Sequence, residues 1–87
     1  MELKVTGEGM EPFNIDIKEI NLDIRTELNI HLYKFFNSKD GMFPHAVSII
    51  KATTNMTKEE INVYSNEQII NIAMSISNYA NKKKAMK

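Results

Sequence analysis

The chain of 87 residues contains no cysteine. Disulfides, zinc–thiolate centres and thiol catalysis are therefore excluded. Glycine and proline are scarce, at three and two, and no Pro-rich linker, internal repeat or low-complexity segment interrupts the chain. It reads as one small domain. A surplus of charge is lacking too, since 11 basic and 11 acidic residues cancel. The broad basic field that holds nucleic acid by its phosphates is absent. No apolar run approaches a membrane span, and no basic segment with an apolar stretch behind it leads the chain. The expectation is a cytoplasmic protein. There is no G-x-G-x-x-G and no Walker-type loop, and the GEG at residues 7–9 is too short to cradle a phosphate. Serines 38, 48, 65, 75 and 77 all have cap or helix-face roles, so no Ser-His-Asp arrangement can be drawn. No catalytic residue, cofactor or metal is expected, and the chain reads as non-enzymatic.

What the chain does contain is a pair of helix starts. Thr57 with Glu60, and Ser65 with Gln68, fit the capping box, in which side chain and backbone satisfy each other's orphan N–H groups. Behind the second box, Ile69, Ile70, Ile72, Ala73, Ile76, Tyr79 and Ala80 recur at three- and four-residue spacing. That apolar arc is wider than one packed neighbour needs, which makes a helix over 66–81 the central post of the fold. A short helix over 58–64 precedes it. Further upstream, Ile24, Leu28, Leu32, Phe35 and Phe36 predict a helix over about 23–37, capped by Asn21 or Asp23 and ended at the SKDG turn with Gly41 left-handed. Pro44 suits the first turn of a second helix, over about 44–53.

At the start of the chain, Leu3, Val5, Phe13, Ile15 and Ile17 alternate with polar residues, the period of half-buried strands. GEGMEP between them reads as a loop. The fold class expected is α+β: an N-terminal hairpin within 2–20, packed on three to four helices, with a basic tail at 82–87. A chain of this size buries roughly 60–65% of its unfolded surface, and oligomerisation is a common supplement to so small a core.

Three clusters invite a functional reading. Asp23, Glu27 and His31 share one helix face, but no second cluster completes a metal shell, and acidic residues near a helix start are favoured by its dipole. The paired helices near residues 58–81 suggest a helix-turn-helix. The would-be recognition helix carries Glu67 and no Lys or Arg before residue 82, so Asn71 and Asn78 would read bases without an electrostatic contribution to affinity. Lys82, Lys83, Lys84 and Lys87 complement a helix C-terminus. The remaining hint is apolar. Ile30 and Tyr33 fall outside the main stripe of the first helix, Met74 lies toward the polar side of the last, and the strand bearing Leu3 and Val5 has an open edge. These five are the expected partner-binding residues.

The hairpin, the helix opening INLDIRTELN and the ending MTKEEINVYSNEQIINIAMSISNYANKKK together resemble small tailed-phage proteins, above all tail assembly chaperones and baseplate assembly factors. The abundance of Ile, Asn and Lys agrees with a phage of a low-GC host. The resemblance implies a non-enzymatic protein that binds another protein, a phage structural protein or itself as a homo-oligomer, in the host cytoplasm. It assigns no residue a role. The alternative is a small phage or bacterial regulator acting on nucleic acid or on a host nucleic-acid enzyme.

Overall fold

In the computed structural model, residues 1–39 and 41–85 are described, with side chains through Asn81. The order is β1 (Glu2–Gly7), β2 (Met10–Asp16), α1 (Leu22–Asn37), α2 (Phe43–Thr53), α3 (Lys58–Asn62) and α4 (Asn66–Ala85). This is an α+β fold.

The hairpin is tighter than the glycines and proline of GEGMEP suggest. β1 and β2 pair antiparallel with Leu3 opposite Ile15 and Val5 opposite Phe13, and Gly7 already pairs with Met10. Only Glu8 and Gly9 turn the chain, and Gly9 takes φ +72°, which an L side chain adopts at a cost. Pro12 lies inside β2, where a two-stranded sheet leaves every strand an edge that tolerates a missing donor. At its other end β2 stops at Asp16 rather than running to residue 20. Ile17 and Ile20 remain buried, but the chain there is already tied to α2 by Lys18 N–H donating to the Thr53 carbonyl at 2.8 Å.

α1 begins at Leu22, with the Asn21 side chain accepting from Ile24 N–H at 2.9 Å. Gly41, at φ +117°, serves the turn into α2, and Pro44 occupies the first turn of that helix. Asp40 of the same turn lies outside the described residues. Both capping boxes form. Thr57 and Glu60 exchange bonds of 2.9 and 3.2 Å, and Ser65 and Gln68 bonds of 2.8 and 3.1 Å. α3 stops at Asn62, short of Tyr64, because the next capping box restarts the chain at Ser65. α4 continues past Asn81 to Ala85, since nothing in NKKKA breaks a helix. The basic tail expected at 82–87 is thus helical backbone to 85, and Met86 and Lys87 lie outside the described residues.

Packing is serial. α1 packs on α2, α2 on α4, and α4 on β1. One core runs through the stack, with Leu28, Leu32 and Phe35 from α1, Ile49 and Ile50 from α2, Ile72 and Ile76 from α4, and Val5 and Ile15 from the hairpin. β2 is held to the turn between α3 and α4 by Phe13 stacked on Tyr64 with ring centroids 5.4 Å apart. The hairpin passes close to α4 at Gly7, where a Cβ would lie 2.8–3.0 Å from the Asn71 amide group. The buried threonines Thr53 and Thr54 donate to the Ile49 and Ile50 carbonyls at 2.8 Å. Among the described residues no buried side-chain nitrogen or oxygen lacks a partner.

Candidate interaction surface

A serial stack has two end surfaces, and their chemistry differs. The outer face of the hairpin carries Glu2, Lys4, Thr6, Asn14 and Asp16, all exposed and polar. The outer face of α1 carries Leu22, Ile30, Tyr33 and Phe36, which are 69%, 54%, 71% and 54% exposed. At 100° per residue these four, with Thr26, Asn29 and Asn37, fall within an arc of about 120°. No charged residue interrupts that arc. Arg25 borders it on the side turned toward the core, and Asp23, Glu27 and Lys34 border it on the other. α1 is therefore apolar on two faces. Leu28, Leu32 and Phe35 supply the face against α2, and the second face meets solvent.

The five expected partner-binding residues divide. Ile30 and Tyr33 are in the α1 patch, and Met74 is exposed on α4 at 37%. Val5 is fully buried, and Leu3 is half-buried and packed against the core. The alternation that makes β1 a strand turns both inward, so their side chains serve the core. Two members of the patch, Leu22 and Phe36, are not among the expected partner-binding residues. The apolar stripe of α1 puts Phe36 in the core beside Phe35; the structure places its ring edge-on to Phe35 at 5.0 Å and about half in solvent. Leu22 precedes the helix expected over about 23–37, and the structure makes it the first residue of α1. The spacing 22, 26, 29/30, 33, 36 is itself helical and could have revealed both.

Other candidates offer less chemistry. His31 Nε2 stands 3.6 Å from Glu27 Oε1, an i, i+4 pair on the surface of α1. Among the described residues no three His, Asp or Glu side chains gather as a metal site. Of the two asparagines that could read bases, Asn71 is packed beside Gly7 and donates to the Glu67 carbonyl at 3.0 Å, so only Asn78 stays exposed. With five residues, α3 is also short for the first helix of a helix-turn-helix. A groove of about 430 Å³ between α2, α3 and α4 has Phe43, Val47, Ile61 and Ile69 as its apolar lining. Its rim mixes Lys51 and Lys58 with Glu59, so no one charge selects a ligand. No helix among the described residues is long and apolar enough to cross a membrane.

Comparison with protein-family models, curated proteins and solved structures gives no match.

Proposed function

We propose that this is a non-enzymatic assembly or interaction protein of the phage type, acting in the host cytoplasm by binding protein through the outer face of α1. The observation that carries the reading is the uncharged, apolar arc of Leu22, Ile30, Tyr33 and Phe36 at one end of the stack. A helix serving only its own core needs one apolar face, with charged residues opposite. Here the charges are displaced to the flanks, and the opposite side is left to aromatic, aliphatic and uncharged polar groups. The largest contiguous apolar patch on a monomer, about 300–600 Å², is often functional, and aromatic residues are enriched at interfaces. Such a face suits the covering of another protein's apolar segment during assembly, the role that the resemblance to tail assembly chaperones and baseplate factors implies.

A photo-crosslinking residue at Tyr33, compared with one at Glu11 on the hairpin, tests this in cells that make the protein. The expected outcome is a discrete protein adduct from position 33, to another copy or to a different chain, and little from position 11. Equal and diffuse yields from the two positions would overturn the reading.

A further inference from the structure

Building on the reading of the α1 outer face as a protein-binding surface, we propose that its occupant is the same face of a second copy. The two helices pack antiparallel about a two-fold axis that passes between Asn29 and Ile30.

The argument is one of charge placement. α1 has 16 residues, with Asp23 in its first turn and Lys34 in its last. The two-fold axis brings residue 29 of one copy opposite residue 30 of the other, and residue 34 opposite residue 25. Asp23, Glu27 and Lys34 all lie on the same flank of the apolar arc, and in an antiparallel pair like flanks meet. Lys34 of one copy then falls between Asp23 and Glu27 of the other, and the reverse pair forms by symmetry. The helix dipoles oppose, so each acidic first turn lies beside a basic last turn. A parallel pairing would leave Lys34 without an acidic partner.

The apolar groups fit the same register. Ile30 meets its counterpart beside the axis. Tyr33 faces Thr26, and Phe36 covers the Leu22–Asp23 turn, so the arc closes from end to end. With aromatic side chains at about 150–250 Å² each, the exposures of the four apolar residues leave on the order of 500 Å² on each copy. Pairing two copies buries on the order of 1,000 Å², the size at which specific interfaces begin. The contacts are isologous, so the assembly closes as a dimer.

The chain has no cysteine, so single-thiol variants test both the contact and its direction. Ile30→Cys should form a disulfide-linked dimer under mild oxidation. Leu22→Cys should not, because two copies of residue 22 lie roughly 22 Å apart at 1.5 Å per residue. In light scattering the unaltered protein should have the mass of two chains. Tyr33→Glu should raise the dissociation constant roughly a hundredfold or more, because each substitution acts twice and aromatic anchors dominate interfaces. Lys34→Glu should weaken the dimer, and adding Glu27→Lys should recover part of the loss. Melting temperatures of the variants separate loss of contact from loss of fold. A monomeric mass even at the highest protein concentration measured, a disulfide from Leu22→Cys but not Ile30→Cys, or indifference to Lys34→Glu would overturn the proposal. If position 33 crosslinks to a different protein while the chain itself stays monomeric, the second-copy proposal fails and the protein-binding reading stands.

Discussion

Phe35 and Phe36 are chemically identical neighbours with opposite duties. Phe35 is fully buried and Phe36 is half in solvent. Truncating Phe35 to Ala removes a ring from a closed core and should cost about 3–5 kcal/mol. For an 87-residue domain that is much of the total stability. Phe36→Ala should change stability by less than about 0.5 kcal/mol in dilute protein, as surface substitutions do. Urea unfolding of the two variants checks this. Equal losses would mean that Phe36 belongs to the core after all. The pair also marks a limit of reading residues in isolation. Both fit a broad apolar stripe, and only the position of α2 decides which of them it covers.

At the scale of elements, most of the fold was legible because its helices announce their ends. Thr57/Glu60 and Ser65/Gln68 form the reciprocal bonds that their spacing implies. Thr57→Ala and Ser65→Ala should each cost about 1 kcal/mol, seen in urea unfolding and as faster amide exchange at the starts of α3 and α4. No change from either would mean that the caps are not populated in solution. The hairpin was less legible. Glycine and proline in GEGMEP read as a six-residue loop, yet one turn at Glu8–Gly9 suffices and Pro12 sits within β2. Strand alternation gave the face of Val5 correctly but does not show how far a helix covers it, and α4 packing on β1 buries it fully. Helix ends carry side-chain signals, whereas strand ends depend on the partner strand.

At the scale of the molecule, the serial stack of α1, α2, α4 and hairpin gives the protein two unlike ends. Half of the candidate surface was legible, because Ile30 and Tyr33 stand off the core stripe of α1. Leu22 and Phe36 became part of it only once the packing showed which side of α1 is free. The central claim is that this free side is covered by protein. The most direct measurement is the alkylation rate of a single thiol at Ile30→Cys, compared with one at Thr6→Cys on the polar hairpin face. The account predicts that the thiol at position 30 reacts many times more slowly than the one at position 6 in concentrated protein or in the producing cell, and that dilution of the purified protein or Tyr33→Glu restores its rate. Equal, fast labelling at both positions under every condition would contradict it.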